Sequence, residues 1–226
     1  WTYVNKAWKG PDYGWMWECP DYFEVDGAQV LLFSPMGFCK EEKAYENQAI
    51  CMQVNFNKEN CAMVLPDKYQ YIDWGLDLYA PQTAVDEAGR RVLFAWLRMP
   101  VAIDEKWCGM QCIPRVIEVK NDHIYFHVHP NLKAAFAKRI RSPKEACESG
   151  YKVSISLEDG ESINIGGYRI ARKGKQICTD RRELVDASWE LQTEFSTPVL
   201  RDGFELEIYV DPNLIEVFVN DGEYVI

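Results

Sequence analysis

Apolar and polar positions along this chain fall into short alternating runs separated by turn residues, the pattern of an all-β protein. Residues 22–25 and 29–34 flank Asp26-Gly27, a two-residue hairpin turn. Further strands are predicted at 48–56, 61–65, 78–85, 91–98 and 111–120. Within these, 30–33 and 92–96 are apolar without alternation, which predicts burial on both faces. Propeller blades, each packed between neighbours, give that pattern. One helix interrupts the strands: Asn131 is placed to cap it, and Leu132, Ala135, Phe136 and Ile140 share a face. Pro143 lies just beyond, and the domain junction is placed at about residue 130.

After the helix the alternation is clean. Phe204, Leu206, Ile208 and Val210 point one way, and Glu205, Glu207 and Tyr209 the other. Ile215, Val217 and Val219 alternate with Glu216, Phe218 and Asn220. One covered face per sheet is what a β-sandwich requires. Asp211-Pro212-Asn213 reads as the turn between these strands, and Asp221-Gly222 turns the chain into a last strand at 223–226. The sequence stops inside that strand, so further strands are expected beyond it. The expectation is propeller blades over 1–130 and a sandwich over 131–226.

Composition changes this picture little. The 226 residues are 47% hydrophobic and 27% charged, an ordinary globular balance. A net charge of −10 argues against nucleic acid and anionic membranes as partners. No apolar run approaches the roughly 18 residues of a membrane span. The eight cysteines (Cys19, Cys39, Cys51, Cys61, Cys108, Cys112, Cys147, Cys178) mostly have apolar neighbours, where a reduced thiol packs as a small hydrophobe. Cys108 and Cys112 lack a second pair to complete a zinc site, and His127 with His129 supplies only two ligands. No metal or cofactor is expected, and reduced cysteines point to the cytoplasm.

The densest chemistry lies in Trp15-Met16-Trp17-Glu18-Cys19-Pro20-Asp21. A carboxyl group among tryptophans loses solvation as an anion, so the Glu18 pKa is expected to rise toward general-acid range. Trp17 can exclude water and stack on a sugar. Cys19 either tunes Glu18 through its weak donor or packs in the core. Asp77 and Tyr79, two apart on a strand, project to one face. There they can converge on a sugar or on Glu18, although Tyr79 also suits an ordinary half-buried strand aromatic. Trp96 is a sugar platform or a core residue. Asp21 reads as a loop brace and Arg115 as half of a structural ion pair.

Trp17-Glu18-Cys19-Pro20-Asp21 resembles the acid/base motif of the glycoside hydrolase family 32 β-fructofuranosidases, which include invertases, sucrose-6-phosphate hydrolases and fructanases. Val30-Leu31-Leu32-Phe33-Ser34-Pro35, Gly75-Leu76-Asp77-Leu78-Tyr79-Ala80-Pro81-Gln82-Thr83, and Gly89-Arg90-Arg91-Val92-Leu93-Phe94-Ala95-Trp96-Leu97 are similar to further family segments. So are Gln111-Cys112-Ile113-Pro114-Arg115 and Glu216-Val217-Phe218-Val219-Asn220-Asp221-Gly222-Glu223. Leu78 stands where Phe is common, and Ala95 where Gly is. The resemblance implies a five-bladed propeller, of which this chain supplies roughly the last three blades, then a sandwich. It implies hydrolysis of a β-fructofuranoside (sucrose, sucrose 6-phosphate or a fructan) with retention, and Glu18 as acid/base. The family's nucleophile segment, Asn-Asp-Pro-Asn-Gly, and its Arg-Asp-Pro segment lie upstream of that motif, and neither is found here. Asp211-Pro212-Asn213 is on the wrong side of Glu18 and reads as a turn. The expectation is an incomplete piece, inactive alone. The alternative is a non-catalytic carbohydrate-binding or structural protein on the same scaffold, using Trp15, Trp17, Tyr79 and Trp96. Glu18 discriminates, because binding alone does not need a carboxyl held against aromatic rings.

Overall fold

The computed structural model describes residues 2–6, 8–9, 13–38, 47–99, 102, 106–145, 150–187 and 191–226. Cys39 and Cys147 lie outside them. The described chain is almost wholly strand, and its strands form five sheets. In the first large sheet, Met16–Val25, Ala28–Met36, Ile50–Gln53 and Gln70–Tyr71 follow one another as antiparallel neighbours. The second contains Leu78–Val85, Arg91–Leu97, Met110–Gln111, Arg115–Lys120 and His123–Val128. A small sheet joins Trp8–Lys9, Ala62–Val64 and Asn55–Asn57. These are later blades of a β-propeller that does not close within the described residues.

The sandwich follows. Tyr151–Ser156, Glu205–Asp211, Leu214–Val219 and Tyr224–Val225 form one sheet. Ser162–Ile165, Tyr168–Lys173, Gln176–Asp180 and Glu194–Ser196 form the other. Ile170, Ile177, Ile208 and Val217 meet between them, each fully buried. The hairpin at Asp26-Gly27 forms as expected, with φ of +51° and +77° at its two turn residues.

Burial on both faces holds for 30–33. Val30 and Leu32 pack with Leu93, Ala95 and Ile117, while Leu31 and Phe33 pack with Tyr13, Phe38 and Met52. It does not hold for 92–96. Leu93 and Ala95 point into the core, but Phe94 and Trp96 are 41% and 44% exposed on the opposite face. Other expected elements are interrupted. The strand predicted over 48–56 breaks at Val54 into Ile50–Gln53 and Asn55–Asn57. The strand predicted over 111–120 is interrupted between Met110–Gln111 and Arg115–Lys120, where Pro114 has no amide hydrogen for a ladder.

The helix is shorter than its apolar spacing suggests. It spans Pro130–Ala135, with Pro130 at its start and no buried residue. Its cap is His129, not Asn131: the His129 ring accepts from the Asn131 amide, 3.2 Å away. Phe136 ends the helix and packs edge-on against Tyr209, leaving Ile140 outside. The cores also interlock across residue 130. Tyr209, Phe218 and Val225 belong to the cluster built on the second blade-like sheet, and Leu76 belongs to the sandwich core. A fully buried Arg115 joins the same parts, bonding Asp73 at 2.7 Å and Glu216 at 2.6 Å.

Candidate active site

Glu18 sits inside the strand Met16–Val25, at a bulge. Pairing with Ala28–Met36 is regular up to Glu18↔Ser34 and resumes at Asp21↔Leu32. The register slips at Cys19-Pro20, where Cys19 has φ +50°. Proline cannot donate to the ladder, so a strand that carries one bulges there. The next sheet does the same. Pairing of Leu78–Val85 with Arg91–Leu97 slips between Tyr79 and Gln82, across Ala80-Pro81, and Ala80 has φ +50°.

The two bulges meet. Tyr79 Oη donates to Glu18 Oε2 at 2.6 Å, within the range of a hydroxyl–carboxylate bond. Gln82 Nε2 donates to the Cys19 carbonyl at 3.0 Å. Asp21 Oδ2 accepts from the Thr83 amide at 2.8 Å and from its hydroxyl at 2.7 Å. The buried Ser34 hydroxyl accepts from the Ala80 amide at 3.1 Å. Burial and the neighbouring Glu18 carboxylate push the Tyr79 hydroxyl well above its ordinary value, so it remains a donor at neutral pH. Burial and the Glu18 charge also raise the Cys19 thiol, which stays protonated beside the pair. Arg98 lies over the Tyr79 ring at 5.1 Å and donates to the Leu76 carbonyl, holding the approach to the bulge.

The other expected residues are placed less uniformly. Trp17 faces away from Glu18, since adjacent strand residues point to opposite sides. Its ring stacks on Phe33 at 4.1 Å, and its indole N–H donates to the Tyr13 carbonyl at 3.2 Å. Asp77 is not brought to Glu18 either. It precedes the strand that begins at Leu78, so strand alternation does not govern it, and both its oxygens accept from Arg181 of the sandwich. Burial raises the Asp77 carboxyl, with Arg181 opposing. Asp77 and Arg181 line a separate cavity of about 750 Å³ between blade and sandwich residues, together with Arg98, Tyr168 and Asn213. Trp96 stands opposite Tyr79 in register and half open to solvent. Its indole lies on Gly109, where an added Cβ would come 1.8 Å from Nε1, so this position requires glycine. Trp15, 70% exposed, rests on Gly37 in the same way.

Residues 1–130 match the glycosyl hydrolases family 32 N-terminal domain, and residues 118–226 the family 32 C-terminal domain. This chain belongs to glycosyl hydrolase family 32. It is 30% identical over 252 residues to the sucrose-6-phosphate hydrolase of Vibrio alginolyticus, covering 97% of this chain and 50% of that protein. With the Bacillus subtilis sucrose-6-phosphate hydrolase it shares 30% identity, covering 95% of this chain and 49% of the relative. Family 32 structures share its fold. The sucrose-6-phosphate hydrolase from Lactobacillus gasseri superposes with a TM-score of 0.77 at 21% identity, over 94% of this chain and 49% of the other. The Bombyx mori GH32 β-fructofuranosidase gives 0.71 at 19% identity, over 95% and 49%. The chain thus spans about half the length of the relatives it matches.

Residue-by-residue reading of this family 32 chain overlooked Ser34, Gln82, Thr83 and Arg181 at these contacts. A signal for Gln82 existed. Glu18-Cys19-Pro20-Asp21 and Tyr79-Ala80-Pro81-Gln82 share a small residue, a proline and a polar residue in the same order, which marks two matching bulges. Arg181 had none, being remote in sequence from everything it touches. Among the described residues no group of His, Cys, Asp or Glu converges as a metal site. His127 instead meets Glu118 and Asp221, and His129 meets Asp86. Among the same residues no helix is long and apolar enough to cross a membrane.

Proposed function

We propose that this chain carries the acid/base portion of a β-fructofuranosidase that cleaves sucrose 6-phosphate or sucrose with retention. The observation that carries the reading is the 2.6 Å bond from Tyr79 to Glu18, made between facing bulges of a family 32 chain. Tyr79 occupies Oε2 and fixes the carboxyl plane, and the other oxygen delivers the proton to the departing glycosidic oxygen. The same carboxylate then takes a proton from the water that releases fructose. Retention requires a second carboxylate about 5–5.5 Å away as nucleophile. That group belongs to the half of the relatives' length that this chain does not span. Cys19 remains a thiol and supplies a weak donor beside Glu18. Trp96 offers an exposed ring next to Tyr79 for a sugar face. The sucrose-6-phosphate hydrolase relatives favour the phosphorylated sugar as substrate, and free cysteines at the described positions support a cytoplasmic setting.

The test is kcat/KM of the full-length protein for sucrose 6-phosphate and sucrose, with Glu18→Gln as control. Turnover should fall at least ~10²-fold in the variant, the lower end for general acid catalysis. Near-normal turnover would move the acid elsewhere. The purified chain of 226 residues is expected to release no fructose. A sugar-binding role without hydrolysis draws on the exposed Trp15 and Trp96, and bound sugar with no turnover in the full-length protein would establish it.

A further inference from the structure

The two bulges are related by more than their shared proline. The first residue of each, Glu18 and Tyr79, bonds the other. The last residue of each reaches across to the opposite backbone: Gln82 to the Cys19 carbonyl, and Asp21 to the Thr83 amide. Thr83 adds a second bond to Asp21 through its hydroxyl, and that hydroxyl accepts from Arg91 Nη1 at 3.4 Å. Four hydrogen bonds therefore span two separate sheets between residues 18–21 and residues 79–83, and only one of them involves Glu18 itself. Each bulged segment has a strained residue, Cys19 or Ala80, in the left-handed region. Such segments keep their conformation only when their surroundings over-determine it, and the reciprocal bonds do that here.

Resting on the acid/base reading of Glu18, we infer that Asp21, Gln82 and Thr83 are positioning residues, a reciprocal clasp that sets the Glu18–Tyr79 distance. None of them need touch the sugar. Their effect passes through the backbones of Cys19 and Thr83, each within four residues of the group it places. Loosening the clasp lets the two bulges drift apart, and a displacement near 1 Å at an acid is enough to slow its proton transfer.

The experiment compares Thr83→Val, Thr83→Ser and Gln82→Met in the full-length protein. Thr83→Val removes the hydroxyl bond and keeps the shape; Thr83→Ser restores the hydroxyl. Expected for Thr83→Val is a fall in kcat of about tenfold with KM held within about twofold, recovered in Thr83→Ser. Gln82→Met, at an exposed position, should lower kcat in the same sense by a smaller factor. As a readout independent of turnover, the ¹⁹F resonance of fluorotyrosine at position 79, assigned with Tyr79→Phe, should move in Thr83→Val toward its place in Glu18→Gln. Unchanged kcat in Thr83→Val and Gln82→Met overturns the clasp. So does a loss in Thr83→Val that Thr83→Ser fails to recover. If the wild-type protein hydrolyses no fructoside, the catalytic reading falls while the clasp is decided by the ¹⁹F signal: movement upholds it, and an unmoved resonance overturns it.

Discussion

Two of the junctions that carboxylates make between distant segments, one around Arg115 and one around Glu18, differ in their surroundings. At the first, the Arg115 side chain has no exposure, and those of Asp73 and Glu216 have 6% and 3%. Arg115 Nη2 serves both carboxylates, and the remaining Glu216 oxygen accepts from the Ile113 amide at 2.6 Å. Burial opposes the guanidinium charge, yet Asp73 and Glu216 raise it above its ordinary value. At the second junction the carboxyl is only half-buried and takes one bond from a neutral hydroxyl on a single oxygen. The comparison teaches how a carboxylate that holds a structure differs from one with the exposure that the proposed acid/base role of Glu18 needs. The first is saturated with fixed donors and counter-charge. The second is oriented by one donor and keeps an open side. Backbone geometry differs in the same sense, because Arg115 lies in regular pairing while Glu18 precedes a bulge.

The comparison breaks most visibly at the Arg115 side. Glu216→Ala leaves a buried guanidinium short of its counter-charge and should destabilise by roughly 3–5 kcal/mol, read as a lower urea midpoint. Replacing Arg115, Asp73 and Glu216 together by apolar residues should cost less than Glu216→Ala alone, since no unpaired charge remains. A smaller loss in Glu216→Ala than in the triple variant would mean that the junction is not held by charge. At the Glu18 side the effect should appear in turnover instead. Tyr79→Phe removes the donor to Glu18 and is expected to lower kcat about tenfold, matching a charge-assisted hydrogen bond of about 1.5 kcal/mol, with the urea midpoint close to wild type. A midpoint that fell in proportion to kcat would make Tyr79 structural, like Arg115.

Asp86 sharpens the comparison with the smallest effect. It is a surface carboxylate saturated like those at Arg115, accepting from the amides of Ala88 and Arg90, from Arg90 Nε and from His129. Burial works against its charge, but the Arg90 and His129 bonds outweigh it and hold the carboxyl below the usual range. A group whose pKa is lower folded than unfolded stabilises above the unfolded value, about 3.9, and loses that contribution as pH falls through the folded value. Urea midpoints measured downward from pH 5 should therefore drop more steeply in the wild type than in Asp86→Asn. Parallel slopes would place the acid sensitivity in other carboxylates.

Much of the architecture was legible in the chain. Alternation at 204–219 found the sandwich strands, and Asp26-Gly27 found its hairpin, because side-chain period and turn chemistry are local properties. The roles of Arg115 as an ion-pair partner and Asp21 as a brace were also readable, and both residues have those contacts. Two kinds of placement were not legible. Asn131 has the chemistry of a cap, whereas the helix starts at Pro130, two residues before the start that such a cap implies, and leaves His129 in the cap position. Nearness and spacing group Trp17 and Asp77 with Glu18, whereas strand alternation turns one ring toward Phe33, and Arg181 draws the other side chain toward the sandwich.

The sequence by itself determined the strand-rich fold, the succession of blade strands and sandwich strands, and the family. All of these follow from local pattern or from motifs whose residues are neighbours in the chain. Tertiary structure alone decided which side chains meet. Glu18 and Tyr79 lie 61 residues apart, Asp21 and Thr83 62, and Asp77 and Arg181 104. Which of several tyrosines or arginines closes such a gap depends on how two bulged strands from different sheets are brought together. That placement comes from packing over the whole core and not from any segment of it.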